Sequence, residues 1–393
     1  MKRLFAGGAM LGGDGTLVRD HGVLVEDGSI ASVSPLGEFE GFDGKRFDTA
    51  GGTLLPGLMD CHVHLVYCGE ANPRPVLDMK TNGEITLTAL ENAQKNLRGG
   101  ITSLRDCGGK DYLEFAVRDA CNRGVFAGPN IRAVGRMICM TGGHGNQIGR
   151  VADGVEEVVK AVREQIHAGC DQVKIMATGG VMTPGVNPED AHYSPEEMAA
   201  GIAEGHRFHK RSASHAQGTQ GILNAVQGGI DSIEHGIFLD ERCLEEMVRR
   251  GTFLVATLAA LNNILANAEN GVPDYVVEKS TRITERHRRS IKMFYEGGGK
   301  LAMGTDAGTP FNMHGENAME LEFLVEVGVK PADALISATT NAAELLDYPD
   351  RGRIAPGQMA DLLLVDGDPI ADITRASRKE NHRAVFKNGA QIT

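Results

Sequence analysis

Short apolar runs alternate with segments of helical periodicity through the middle of the chain. The runs are bounded by glycine or polar residues and predict buried strands. Their sequences are LMDCHVHL, ITSLRDCG, NIRAVGRMICM, QVKIMATGG, SASHAQG, SIEHGIF, TFLVATLAAL and LAMGTDAG. Helical periodicity separates them, over residues 85–98, 112–123, 155–168, 195–210, 219–228, 240–249 and 276–296. Eight strands alternating with helices predict an α/β fold, a (β/α)8 TIM barrel with its strands buried on both faces.

An open doubly wound sheet is the competing architecture for this pattern. Such a sheet would bring a glycine-rich nucleotide loop after its first strand. No G-x-G-x-x-G or Walker sequence stands there. The pattern therefore favours the barrel.

Both ends of the chain have a different sequence pattern, with short strand-like segments separated by tight turns. Asp27-Gly28 and Asn388-Gly389 are typical hairpin turns between apolar strands. We therefore expect the ends, residues 1–56 and 352–393, to form one small β-sandwich domain. Residues 57–351 would form the barrel.

Composition narrows the class of protein. Hydrophobic residues make up 41% of the 393 residues and charged residues 23%, as in ordinary globular proteins. The net charge of −12 argues against binding of nucleic acid, which needs clustered basic residues.

No apolar run is long enough for a membrane span or a signal-peptide core. Seven cysteines without a Cys-x-x-Cys pair indicate a reducing compartment. We expect a cytoplasmic protein with a small-molecule substrate.

The first predicted strand ends in a His-x-His pair. His62 and His64 project to the same side of the strand, because side chains alternate between its faces. Two imidazoles at the carboxyl end of a barrel strand would make half of a metal site. The pair alone is weak evidence, since two polar residues at a barrel mouth are the more common explanation.

Further strands also end in residues that commonly bind metals. His215 ends the fifth strand, His235 the sixth, and Asp306 follows the eighth. Each alone is more often a hydrogen-bonded structural group. Their recurrence at the expected end of four of the eight strands indicates a shared site.

Lys174 is the most informative position. Its neighbours Val173 and Ile175 would face the helices, so Lys174 would point into the barrel, where an isolated ammonium is costly. It could pair with a carboxylate such as Asp306, or form a Schiff base. A neutral amine that has added carbon dioxide is the sharper hypothesis, because the two oxygens of its carbamate could bridge two metal ions.

These motifs together resemble the amidohydrolase superfamily. LLPGLMDCHVHL, Lys174, SHA, EHG, GTDAG and the tail ADLLLVDGDP cover nearly the whole chain. Within the superfamily, the chain is most similar to the imidazolonepropionase-related branch, which holds metal-dependent Xaa-Pro dipeptidases and carboxypeptidase-like enzymes. Imidazolonepropionase itself fits less well, since it is associated with one metal ion.

The resemblance implies roles for the candidate residues. His62, His64 and Asp306 would bind one divalent ion, His215 and His235 a second, and N6-carboxylated Lys174 would bridge both. Zinc suits this ligand set, and two such ions lower the pKa of a shared water. The bridging hydroxide would attack an amide carbonyl, and Asp306 would carry a proton to the leaving amine.

Substrates of the dipeptidase-like enzymes carry a free carboxylate. The resemblance suggests that His144, in the loop after strand three, and Tyr193, after strand four, contact this carboxylate or the oxyanion. Either could instead stabilise its own loop or helix. His192, His314 and Glu316 are weaker pocket candidates. The remaining histidines on helical segments, including His167, His206, His209 and His287, are expected at the surface.

The sequence thus favours a binuclear hydrolase of dipeptides or N-acyl amino acids, of the prolidase or carboxypeptidase kind. A hydrolase of the same fold could instead cleave a cyclic amide, an aryl amide, a carbamate or an organophosphate. A non-catalytic metal-dependent scaffold is the remote alternative. Barrels of this kind often assemble, so we expect a homo-oligomer.

Overall fold

The computed structural model describes residues 2–393. Its strands are β1 (Lys2–Ala6), β2 (Ala9–Leu11), β3 (Leu17–Val18), β4 (His21–Glu26), β5 (Ser29–Pro35), β6 (Lys45–Asp48), β7 (Gly52–Pro56), β8 (Leu58–Val63), β9 (Ile101–Asp106), β10 (Asn130–Ala133), β11 (Ile138–Cys139), β12 (Arg150–Val151), β13 (Val173–Met176), β14 (Ser212–Ala216), β15 (Ser232–His235), β16 (Phe253–Val255), β17 (Leu301–Ala302), β18 (Leu362–Asp366), β19 (His382–Lys387) and β20 (Ala390–Gln391).

The helices are α1 (Pro73–Met79), α2 (Asn82–Arg98), α3 (Leu113–Asn122), α4 (Val155–Ala168), α5 (Pro195–Arg207), α6 (Thr219–Gln227), α7 (Glu241–Arg250), α8 (Leu258–Ala266), α9 (Asp274–Glu296), α10 (Glu320–Glu326), α11 (Pro331–Ser337), α12 (Thr340–Leu345) and α13 (Thr374–Ser377). No helix within residues 2–393 is long and apolar enough to cross a bilayer.

Strands from both chain ends share one sheet. A six-stranded sheet has the order β20-β19-β18-β7-β2-β3, and a four-stranded sheet has the order β5-β4-β1-β6. Strands β7 and β18 pair antiparallel, with Leu55 opposite Leu363. Side chains of the two sheets pack into one cluster that includes Phe5 and Phe386, whose rings meet edge-on at 4.8 Å. The two ends of the chain are thereby packed together.

Parallel strands and helices make up the middle of the chain. One parallel sheet has the order β10-β9-β8 and the other β12-β11-β13-β14-β15-β16-β17. Hydrogen bonds connect the two sheets at both edges of the smaller one. The amide of Cys61 donates to the carbonyl of Met303 at 2.8 Å, and the amide of Asp171 donates to that of Ala133 at 2.8 Å. The α/β pattern and the parallel strands agree with the sequence.

Two predicted strands differ from those observed. The third run is divided into β10 and β11, because Gly135 between them takes a left-handed backbone with φ of 76°. The end of the seventh run, from Leu258, is helix α8 rather than strand. Thr257 turns the chain there, with φ of 55°. A continuous apolar run does not by itself distinguish a buried strand from a buried helix.

Candidate metal centre

Five ligand-type side chains and one lysine meet at the carboxyl ends of the parallel strands. His62 lies on β8, Lys174 on β13, His215 on β14 and His235 on β15, whereas His64 and Asp306 follow β8 and β17. All six line one cavity with a volume of about 380 Å³. The structure therefore brings together every residue that the sequence proposed for the metal site.

Nitrogen and oxygen atoms of three of these residues converge closely. Nε2 of His64 lies 3.3 Å from Oδ1 of Asp306, and Nε2 of His62 lies 3.5 Å from the same oxygen. Ligand atoms of His62, Asp306 and His235 all lie within 4.8 Å of one another. Two ligands at about 2.1 Å from one tetrahedral zinc ion would be about 3.4 Å apart. The spacing therefore fits a shared cation.

Hydrogen bonds orient His62 with a free nitrogen toward the cavity. Its Nδ1 lies 2.8 Å from Oε2 of Glu234, and a carboxylate can only accept there. Nδ1 is thus the protonated nitrogen, and Nε2 keeps its lone pair. Glu234 is itself held at Oε1 by Arg105 at 2.7 Å and by Ser232 at 2.6 Å. A carboxylate behind a histidine in this way is common at metal sites.

The same reasoning applies to His64 and His235. Nδ1 of His64 lies 2.7 Å from the carbonyl oxygen of Gly108, to which it must donate. Nδ1 of His235 lies 2.7 Å from Oγ1 of Thr257, whose own hydroxyl donates to the carbonyl of Ala256. Thr257 therefore accepts from His235. Both histidines present the lone pair of Nε2 to the cavity.

His215 uses its other nitrogen. Its Nε2 lies 2.8 Å from the carbonyl oxygen of Gly179 and donates to it. The lone pair of Nδ1 is therefore the one available to a ligand. The ring centroid of His215 lies 4.6 Å from that of His235. These two imidazoles could hold a second ion together.

Burial keeps the imidazoles neutral. The pKa of His62, His215 and His235 lies well below the usual histidine range, because burial disfavours the charged ring and neighbouring cationic groups add to this. Burial also disfavours the charged form of Asp306, but His62, His64 and Lys174 outweigh it and hold the pKa of Asp306 well below its usual value. Neutral imidazoles and an ionised carboxylate are the forms that bind metals.

Lys174 is buried, with 2% of its surface exposed, and its Nζ lies 3.0 Å from Nε2 of His62. Asp306 does not form an ion pair with it, and neither does any other carboxylate among residues 2–393. The structure therefore does not support the alternative hypothesis that Lys174 is paired with a carboxylate. Nζ of Lys174 therefore occupies the lone pair of His62 that would bind a metal ion.

Two positions depart from the alternation of a regular strand. His235 and Asp306 take left-handed backbones, with φ of 75° and 62°. Such strain at non-glycine residues is found at functional sites. Glu234 already points inward, opposite to Ile233, and the left-handed turn directs His235 into the cavity as well. The sequence motif EHG contained Glu234, but its role as the partner of His62 was not predicted.

His144 lines the cavity, as predicted, but Tyr193 does not. Nδ1 of His144 lies 2.8 Å from Oγ1 of Thr183, and its ring centroid is 4.4 Å from that of His215. Burial lowers the pKa of His144 to about 3. Tyr193 is buried, and its hydroxyl donates to the carbonyl of Ala152 at 2.7 Å, away from the cavity. The prediction that Tyr193 contacts substrate is therefore not supported by its position.

The weaker pocket candidates also lie outside the cavity lining. His314 is buried behind His64, where its Nε2 lies 3.0 Å from the carbonyl oxygen of Tyr67. Glu316 forms an ion pair with Lys379 at the surface. His192 lies beside Gly143. These side chains shape the surrounding loops and do not reach the cavity.

His287 lines the cavity although the sequence did not place it there. The sequence predicted a surface position, but His287 is 1% exposed and lines the cavity from α9. Burial lowers its pKa to about 4. It lies on the inner face of a long helix, and the helical pattern alone did not show which face the barrel would cover.

The segment after β13 forms one wall of the cavity. Val181, Met182, Thr183 and Pro184 line it. Lys279 of α9 holds this segment from behind, donating to the carbonyls of Thr183 at 2.8 Å, Val186 at 2.7 Å and Gly180 at 3.3 Å. The wall is thus tied to the helix by three bonds from one side chain.

Known proteins resemble this chain over nearly its whole length. The model of the amidohydrolase family matches residues 53–392. Ochratoxinase from Aspergillus niger is 30% identical, over 97% of this chain and 85% of the relative. A Xaa-Pro dipeptidase, solved with methionine bound in its active site, is 31% identical with a TM-score of 0.90 and full coverage of both chains. A prolidase complexed with N-methylphosphonate-L-proline is 30% identical with a TM-score of 0.91, also over the whole of both chains.

The superfamily and the similarity to dipeptidases that the motifs indicated are thereby confirmed. Membership also makes the protein a hydrolase of carbon–nitrogen bonds with a small-molecule substrate. With a matching model over most of its length and a cavity lined by the expected residues, the chain belongs to the amidohydrolase family.

Proposed function

We propose that the protein is a binuclear metal-dependent amidohydrolase that cleaves the amide bond of dipeptides or N-acyl amino acids. The observation that carries this proposal is the convergence of ligand atoms on one carboxylate oxygen, since Nε2 of His62 and Nε2 of His64 lie 3.5 and 3.3 Å from Oδ1 of Asp306. Because Nδ1 of each histidine donates to another partner, both Nε2 lone pairs are available to a shared cation. His215 and His235 would hold the second ion.

We propose that Lys174 is N6-carboxylated in the active protein. Its burial without a carboxylate partner supports this, because a carbamate would replace an isolated ammonium by an anion among metal ligands. Zinc is the expected metal, since neutral imidazoles and carboxylate oxygens suit it.

When bound, two such ions would lower the pKa of a water and polarise the scissile carbonyl. The chain supplies the rest. Asp306 would accept the proton of the attacking water and pass it to the leaving amine. His144, neutral and held by Thr183, would donate a hydrogen bond to the carbonyl oxygen as negative charge develops there.

The architecture proposed from the sequence accommodates this site. Hydrogen bonds at both edges of the three-stranded sheet support a closed (β/α)8 barrel over residues 57–351. The shared cluster of the two end sheets supports a small β-sandwich domain of residues 1–56 and 352–393. A homo-oligomer and a cytoplasmic location stay predictions.

The proposal is tested with zinc-loaded protein on a panel of dipeptides, N-acyl amino acids and neutral aryl amides. We expect hydrolysis of the first two groups, with about two zinc ions per chain. We also expect a carbamate signal from 13C-bicarbonate by NMR that is absent from the Lys174→Ala variant, and partial rescue of that variant by acetate. Turnover of neutral amides alone, or one metal ion without a carbamate, would contradict the proposal.

A further inference from the structure

One cationic side chain lines the cavity away from the candidate metal centre. Among residues 2–393, the cavity is lined by one arginine, Arg74, one lysine, Lys174, and one carboxylate, Asp306. Lys174 and Asp306 both belong to the metal centre. Arg74, on helix α1, is therefore the charge that a substrate would meet outside it.

The guanidinium of Arg74 is only partly engaged. Its Nε donates to Oδ2 of Asp78 at 2.7 Å, one turn along the same helix. Its Nη1 is buried and has no hydrogen-bond partner. The cation–π contacts of the described residues do not include Arg74 either. A buried donor without a partner destabilises the folded protein and needs an explanation.

Tyr67 offers a second donor on the same wall. Its ring lines the cavity with its centroid 6.2 Å from that of His64. Asn92 and His314 hold its backbone carbonyl, at 2.9 and 3.0 Å. Its hydroxyl makes no hydrogen bond with any of residues 2–393. The backbone of Tyr67 is thus held in place, and its phenolic donor is available to a ligand in the cavity.

The rest of the lining is mostly apolar and includes Met137, Ile148, Met176, Ile237 and Leu261. A hydrophobic surface cannot neutralise the free carboxylate of a dipeptide or an N-acyl amino acid. His144 is neutral and Tyr193 points away from the cavity, so the residues expected from the sequence do not supply a positive charge for this carboxylate. Arg74 supplies that charge.

We infer that Arg74, assisted by the hydroxyl of Tyr67, binds the carboxylate of the substrate and so selects substrates that carry one beside the scissile amide. This inference rests on the proposed amide hydrolysis. A guanidinium matches a carboxylate with two parallel hydrogen bonds, and neither Nη1 nor Nη2 of Arg74 has a hydrogen-bond partner within residues 2–393, where only Nε is engaged. The apolar lining would then receive hydrophobic side chains of the substrate.

The test compares Arg74→Met and Arg74→Lys with wild type on a dipeptide and on its C-terminal carboxamide. For the dipeptide we expect kcat/KM of Arg74→Met to fall about 10- to 100-fold, mainly through KM, as for loss of hydrogen bonds to a charged group. The carboxamide should be cleaved equally by both proteins, and Arg74→Lys should recover part of the loss. The control is Arg123→Met, at an exposed position after α3.

Binding provides a readout that does not need turnover. Isothermal titration would compare L-methionine with L-methioninol, which lacks the carboxylate, on zinc-loaded protein. We expect wild type to prefer L-methionine and Arg74→Met to lose that preference. An equal loss on dipeptide and carboxamide, or a preference retained by Arg74→Met, would overturn the inference. A wild type that binds L-methionine selectively but cleaves no amide would overturn the proposed function alone.

Discussion

Nδ1 of His62 lies 2.8 Å from Oε2 of Glu234, and the other oxygen of that carboxylate lies 2.7 Å from Nη2 of Arg105. All three side chains are buried, with 1% or less of each exposed. One carboxylate thus orients a proposed metal ligand and neutralises a buried guanidinium. Metal binding and folding stability are therefore coupled through Glu234.

The Glu234→Gln variant tests this coupling. We expect zinc affinity to fall about 10- to 100-fold, since a neutral amide is a weaker acceptor for Nδ1 of His62 than a carboxylate. We also expect a loss of about 3–5 kcal/mol in the free energy of unfolding, because Arg105 would remain charged without its counter-ion. Equilibrium dialysis and urea denaturation measure the two effects. Glu241→Gln, at an exposed position, is the control and should change neither.

Lys279→Met should loosen the cavity wall formed by residues 180–186. The substitution removes the three hydrogen bonds that Nζ of Lys279 donates to backbone carbonyls of this segment. We expect faster amide hydrogen exchange in these residues and a raised KM, with zinc content unchanged. Lys292→Met, at an exposed position of the same helix, is the matched control. Unchanged exchange would show that Lys279 is dispensable for the wall.

Tyr193→Phe should affect stability and not substrate binding. The hydroxyl donates to the buried carbonyl of Ala152, and its loss leaves that oxygen unsatisfied at a cost of about 1–2 kcal/mol. KM for a cleaved dipeptide should stay within about twofold of wild type, because Tyr193 does not line the cavity. A large rise in KM with unchanged stability would restore Tyr193 as a substrate contact.

His206 predicts a pH-dependent contribution to stability. A hydrogen bond to Asp231 at 2.8 Å raises the pKa of His206 above its unfolded value of 6.5. The stabilisation is therefore fully present below pH 6.5 and is lost as the pH rises through the higher folded pKa. Because His206 is 40% exposed, we expect less than about 1 kcal/mol. His206→Gln should lower Tm at pH 5.5 more than at pH 8.5, and an equal difference at both would contradict the prediction.

Regular elements were predictable because local pattern decides them. Helix α4 has the predicted bounds, residues 155–168, and α5 begins at Pro195 as predicted, where Ser194 caps it. The inward side chain of Lys174 followed from its position between Val173 and Ile175, since side chains alternate along a strand. His62, His64 and Lys174 were found for this reason.

Other positions depend on contacts that no local pattern contains. Tyr193 precedes the same helix α5 that was correctly placed, but its hydroxyl finds the carbonyl of Ala152, which is distant in sequence. His287 lies on a correctly placed helix, but burial of one helix face by the barrel determined its environment. The unpartnered donor of Arg74 is likewise invisible until the cavity is formed.

By itself, the sequence determined the order of strands and helices, the family and the chemical types gathered at the strand ends, because these follow from periodicity and short motifs. Only the tertiary structure decided which imidazole nitrogen is free, which tyrosine lines the cavity and which buried donor has no partner. Each of these depends on a hydrogen-bond partner from another part of the chain. Folding brings such partners within about 3 Å, a distance that sequence separation does not encode.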